Sequence, residues 1–151
     1  MNQKTVSYSR METRYRSQPA DTNNAGVMHG GHILYHLDST AGMTAMRHAG
    51  CNVVTAAIEH MDFLAPVHPG EYLVIKTSLN LVGRSSMEVG ARLEAENPCT
   101  GEARHVARAY LTFVALGADG KPVPVPALVP ETDEDRRRMD AARARKERNK
   151  K

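Results

Sequence analysis

One stretch of helical periodicity, followed by a long unbroken block of strand-like sequence, limits what this chain can become. From Gly31 to about His48, apolar residues fall at Ile33, Leu34, Leu37, Ala41, Ala45 and Met46. Those are the steps of one helix face. Met43 widens the apolar surface, so the spacing predicts a helix buried more than halfway round. Gly50, in "HAGCN", suits the turn after it. Everything from Asn52 to Leu116 then reads as strand. "EYLVIKTSLNLVG" puts Leu73, Ile75, Thr77, Leu79 and Leu81 on one face. "SMEVGARLEAE" alternates more cleanly, with Met87, Val89, Ala91, Leu93 and Ala95 opposed to Glu88, Arg92, Glu94 and Glu96. "HPGE", "NPCTGE" and "GADGKP" read as turns.

Strands that run consecutively through hairpin turns argue for an α+β domain with an antiparallel sheet, not for βαβ units. A sheet with one apolar face and a single greasy helix fit together if about five strands curl round the helix. Residues 4–16 read as a weak strand, "SQPADTNNAG" as a loop, and "VPVPALVP" as an extended exit. With 151 residues, 41% of them hydrophobic, the chain suits one domain, expected over 1–135.

Residues 136–151 hold nine Lys/Arg against two Asp/Glu, whereas the rest holds eleven against fifteen. The basicity is therefore confined to a C-terminal tail, expected to be helical or disordered and solvated. No aromatics interleave with that charge, which argues against a stacking nucleic-acid surface. No apolar run is long enough for a membrane span and no leader pattern is seen, so a cytoplasmic location is expected. Cys51 and Cys99 stand in dissimilar contexts and read as a reduced, structural pair.

The segment "NNAGVMHGGHILYHLD" carries two liabilities at once. Gly30 and Gly31 weaken the start of the helix, and seven residues on Asp38 sits among apolar neighbours. Taken alone, the glycines read as close packing, Asn23 as a turn residue and Asp38 as a satisfied buried acid. Together, "NNAGVMHGGHILYHLDSTAG", "VVTAAIEHMDFLAPVHPGE", "VGRSSMEVGARLEAENPCTGE" and "LTFVALGADGKPVPVPALVPET" resemble the hotdog-fold acyl-CoA thioesterases over roughly residues 5–135. The resemblance implies a five-stranded antiparallel sheet wrapped round a long helix. It also implies paired subunits and a larger assembly, such as a trimer of dimers.

It further implies hydrolysis of acyl-CoA to free acid and CoA, with no cofactor beyond the CoA of the substrate. Helix N-terminal amides suit a developing oxyanion, and glycine leaves the thioester carbonyl unobstructed at Gly30 and Gly31. Asp38, its basicity raised by apolar surroundings, would activate water or attack directly. Asn23 would orient the water or bind the thioester oxygen. Gly31 and Asp38 lie about 10 Å apart along a helix axis, too far for one carbonyl to meet both. A composite site is therefore expected, with Asn23 and Gly31 from one subunit and Asp38 from its partner.

Arg84, Ser85 and Ser86 of "GRSSM" suit phosphate oxygens, and the resemblance puts them near the CoA moiety. The bland reading is a polar turn. His29, His32 and His36 are spaced like zinc ligands but lack an HExxH pattern, so packing, helix-end or site-lining roles are expected and no metal. Two other readings share the scaffold: a module that binds acyl-CoA without cleaving it, and a hydratase or dehydratase, which would need His29 or His36 beside the acid.

Overall fold

The computed structural model describes residues 2–150. Its elements are β1 (Gln3–Thr5), α1 (Val6–Ser9), β2 (Met11–Arg16), a 3₁₀ turn (Pro19–Asp21), α2 (Gly30–Ala49), β3 (Asn52–Phe63), β4 (Tyr72–Val82), β5 (Ser86–Glu96), β6 (Ala103–Leu116), β7 (Ala127–Val129) and α3 (Asp133–Asn149). Five strands form one antiparallel sheet in the order β2-β4-β5-β6-β3, and β1 pairs in parallel with β7. The alternation in β5 holds: Met87, Val89, Ala91, Leu93 and Ala95 are all buried. In β4, Leu73, Ile75, Thr77 and Leu79 are buried, but a register shift between Leu79 and Leu81 admits Asn80 and leaves Leu81 only half-buried.

Helix α2 packs on the apolar face of this sheet. Ile33, Leu37, Ala41 and Ala45 are buried as their spacing predicts. Thr40, Thr44 and His48 are buried with them, each held by a partner: the Thr13 hydroxyl at 2.8 Å, the Thr77 hydroxyl at 2.7 Å and the Pro126 carbonyl at 2.7 Å. Gly50 ends the helix at φ 74°, its N–H donating to Met46 O. The helix is not wrapped as fully as expected. Tyr35, Met43 and Met46 remain exposed, because the curled sheet reaches only one side of it.

Residues 4–16 are not one strand. Val6 turns into the core and α1 breaks the run, while Lys4 donates to the Arg47 and His48 carbonyls at the end of α2. Of the basic C-terminal segment, residues 136–149 are helical, one of the two expected states, but docked on the sheet and not frayed. They lie within α3, which begins at Asp133 with a Thr132–Asp135 capping box. Helix α3 lies on the sheet face opposite α2, where Arg145 pairs with Glu88 and stacks over the Tyr110 ring at 3.6 Å. Met139 and Ala142 are buried beneath it. No helix among the described residues is long and apolar enough to cross a membrane.

Candidate active site

The loop before α2 folds on itself through Asn23. Its Oδ1 accepts from the amides of Ala25 and Val27 at 2.9 and 3.4 Å, and Gly26 takes φ 77° to close the turn. Asn23 thereby lines a cleft of about 400 Å³ with Gly30, Ile33, Phe63 and Leu64. The absence of a side chain at Gly30 keeps this cleft open, since a Cβ there would stand 3.5 Å from the Phe63 ring. Asn23 and the glycine end of the helix are therefore brought together, at a helix N-terminus that favours developing negative charge.

One expected donor is occupied. The Gly31 amide donates to Nδ1 of His29, which caps α2, at 2.9 Å. His29 thus serves the helix end. An incoming oxyanion must displace this imidazole to use the Gly31 N–H.

Asp38 lies two turns further along α2 and does not line the cleft. It is half-buried, and one carboxylate oxygen accepts from the Thr55 hydroxyl of β3 at 2.7 Å. β3 is an edge of the main sheet, and its exposed Val54 and Ile58, with Tyr35, Met43 and Met46 of α2, leave apolar surface uncovered nearby. Thr55 was not singled out by the sequence. A threonine in a strand carries no signal of its own, and only the contact with Asp38 marks it.

Arg84, Ser85 and Ser86 form the tight β4–β5 hairpin, closed by the Gly83 amide donating to the Ser86 carbonyl at 2.8 Å. Arg84 is exposed in an open recess with Ala49, whereas Ser86 lines a different one beside α3. Ala49 is the last residue of α2. Within one chain these residues therefore lie near the opposite end of a helix about 30 Å long from the glycines. They do not join Asn23 and Gly30.

His36 and His32 face β2 and the 3₁₀ turn. His36 stacks on Tyr15 at 3.9 Å, and burial pushes its pKa down. His32 approaches the Asp21 carboxylate at 3.8 Å. Burial alone would raise the Asp21 pKa. The Tyr15 hydroxyl at 2.6 Å, the Gln18 amide and the two histidines outweigh it and hold the carboxyl below its usual range. Among the described residues, no group of three His, Cys, Asp or Glu side chains is placed to hold a metal ion.

Residues 25–102 match the model of the thioesterase superfamily. The chain is 42% identical to the uncharacterized acyl-CoA thioester hydrolase YkhA of Bacillus subtilis, covering 78% of this chain and 68% of that one. It is 32% identical to the cytosolic acyl coenzyme A thioester hydrolase of Rattus norvegicus over 93% of its length, and spans 38% of that relative. Among solved structures, an apo-hexameric acyl-CoA thioesterase matches with TM-score 0.95 and 39% identity, covering 99% of this chain and 96% of that one. The acyl-CoA hydrolase of Staphylococcus aureus, in complex with butyryl coenzyme A and coenzyme A, matches with TM-score 0.91 and 38% identity, covering 98% and 90%. Three further structures of the Staphylococcus aureus enzyme each carry alanine in place of one residue: an asparagine, an aspartate or a threonine. Those positions are separated by 15 and 17 residues, the separations of Asn23, Asp38 and Thr55 here. By the family model and by this identity, the chain belongs to the thioesterase superfamily and has its hotdog fold.

Proposed function

We propose that the protein is an acyl-CoA thioesterase that works as a homo-oligomer, with each reaction centre shared between two chains. The observation that carries this reading is the cleft uniting Asn23 with Gly30, while Asp38, held by Thr55, looks out from the same helix beside an uncovered sheet edge. Two such chains with α2 antiparallel bring the glycine end of one towards Asp38 of the other. The same pairing moves the Arg84–Ser86 hairpin, near the far end of α2, towards the partner's glycines, where CoA phosphates need cations. The exposed apolar side chains of β3 and α2 supply the surface for this contact. The hexameric relative supports assembly beyond one chain, and the cytosolic relative supports a cytoplasmic location.

In this reading the thioester carbonyl enters the cleft with its oxygen towards the start of α2. Asp38 of the partner removes a proton from water, whose oxygen bonds to the acyl carbon. The negative charge then on the carbonyl oxygen is met by the helix amides and by Asn23. Loss of one such donor typically costs ~10²–10³ in rate. When the tetrahedral centre collapses, the carbon–sulfur bond breaks and CoA leaves as thiolate. Direct attack by the carboxylate reaches the same products through an anhydride that water then opens.

A dehydratase reading is poorly served by the histidines. His36 and Asp38 are two residues apart on a helix, hence on nearly opposite sides of it. His36 is also engaged with Tyr15.

The test mixes the protein with acyl-CoAs from short to long and a thiol-reactive dye. Wild type releases thiol, and Asp38→Ala loses about 10²–10⁴ of the rate. Unchanged release by the variant removes Asp38 from the chemistry. Binding without release in wild type favours an acyl-CoA sensor.

A further inference from the structure

The outer wall of the cleft is the end of β3, and one irregularity in that strand puts it there. Glu59 pairs with Tyr110 of β6 and Asp62 with Arg108, so three steps along β3 oppose two along β6. The extra residue makes a bulge, and His60 within it takes a left-handed φ of 53°. Side chains alternate along a strand, so one extra residue reverses the face of everything after it. Ile58 pairs with Leu111 and Phe63 with Ala107, and both partners are buried on the α2 side of the sheet. Five residues separate Ile58 from Phe63, an odd step that a regular strand would send to opposite faces. Without the bulge, Phe63 would point away from α2.

The bulge therefore delivers the Phe63 ring to the start of α2. Its Cζ and Cε1 stand 3.5 and 4.0 Å from the place that a Gly30 Cβ would occupy. The backbone that follows is held firmly. The Leu64 and Ala65 amides donate to the Val106 carbonyl at 2.7 and 3.3 Å, and the Met28 amide donates to the Val67 carbonyl at 2.8 Å. Arg104 donates to the Pro66 carbonyl at 2.6 Å. The ring itself is not packed in. Phe63 is 54% exposed, whereas Met28, Ile33 and Val67 beneath it are almost fully buried. A large apolar ring thus stands half in water over a sealed apolar floor. Among the described residues that line this slot, Asn23 carries the one polar side chain.

We infer that Phe63 is the specificity-determining side chain of the cleft, its ring limiting the length and bulk of the acyl group that fits between β3 and the start of α2. The inference rests on the proposed thioester hydrolysis and adds the group that selects among its substrates. The phosphates of CoA need cations, and no cation among the described residues lines this slot. The acyl portion is therefore the part that lies against the ring. Each methylene buried there is worth roughly fourfold in binding. With the backbone fixed and the ring free, selection turns on side-chain size at one position.

Comparing kcat/KM for butyryl-CoA and octanoyl-CoA by thiol release, in wild type and in Phe63 variants, tests this. Phe63→Ala opens the slot and raises the octanoyl-to-butyryl ratio by about tenfold or more, the worth of two further buried methylenes. Phe63→Trp narrows the slot and lowers the ratio. Phe63→Leu keeps an apolar side chain at the strand end and falls between wild type and alanine. Tyr8→Ala removes an exposed aromatic ring outside the cleft and leaves the ratio at the wild-type value. Calorimetric binding of the matching non-hydrolysable acyl-CoA thioethers separates this inference from the hydrolysis it rests on. A wild type that releases no thiol fails as a hydrolase, yet an affinity ratio that moves with Phe63 still upholds the selecting role. A ratio unchanged from wild type in both Phe63→Ala and Phe63→Leu, or an equal change in Tyr8→Ala, overturns it.

Discussion

The Thr55 hydroxyl of edge strand β3 donates to the Asp38 carboxylate of α2 at 2.7 Å. One carboxylate oxygen is fixed by this contact, so in the proposed reaction the acid would meet the substrate in a set direction. Thr55→Ala should lower kcat by roughly 10–100-fold, as expected for losing one hydrogen bond to a charged group. Thr55→Ser keeps the hydroxyl and should recover most of the rate. Steady-state kinetics of the two variants check this, and equal loss in both would assign the effect to packing.

Gly30 separates activity from stability. Alanine there meets only ordinary contact with the Phe63 ring, 3.5 Å away, and alanine favours helix over glycine by up to ~1 kcal/mol. Gly30→Ala should therefore melt at the same or a higher temperature than wild type, yet hydrolyse acyl-CoA more slowly because its methyl fills the cleft. A thermal melt paired with the thiol-release assay reads both.

The uncovered apolar side chains give a prediction about assembly. Ile58, on β3, is 38% exposed in the single chain. Ile58→Asp puts a charge where the proposed contact needs an apolar surface. It should shift the protein to monomer in light scattering and abolish hydrolysis while Asp38 and Asn23 remain intact. An active monomer would remove the shared-centre account.

How much of this was legible in the sequence differs from element to element. Period-two alternation identified β4 and β5, and the Ile33–Leu37–Ala41–Ala45 stripe identified α2, because burial imposes those periods directly. Polar burial was not legible. Thr40, Thr44 and His48 break the apolar pattern, and only their partners on β2, on β4 and at Pro126 make burial tolerable. The docking of α3 was hidden for a related reason. A helix held by Arg145 against Glu88 and Tyr110 looks like a solvated charge run when its target strands are out of sight. At the candidate site, Gly30 and Asp38 were visible as costly residue choices, and Asn23 only through the family resemblance. The capping of Gly31 by His29 and the support of Asp38 by Thr55 are contacts that no spacing rule announces.

Stability should fall in mild acid. Burial holds the His48 pKa down, its Nε2 donates to the Pro126 carbonyl, and Nδ1 has no partner. The unfolded chain takes up a proton near pH 6.5, which the native state resists. Unfolding then binds protons, so stability is full above about pH 6.5 and declines as pH drops below it. His36 acts in the same direction. The depressed Asp21 carboxyl adds a second loss as pH falls through and below about 4. Melting temperatures between pH 4 and 8 check both, and a flat profile from pH 7 to 5 would contradict the His48 assignment.

The shared reaction centre is tested most directly by mixing two inactive variants, Asn23→Ala and Asp38→Ala, under conditions that exchange subunits. If Asn23 of one chain works with Asp38 of its partner, mixed pairs carry one intact centre and activity returns to about a quarter of wild type, the share of intact centres after random exchange. If the two residues act within a single chain, no mixed pair contains an intact centre and the mixture stays as inactive as its parents.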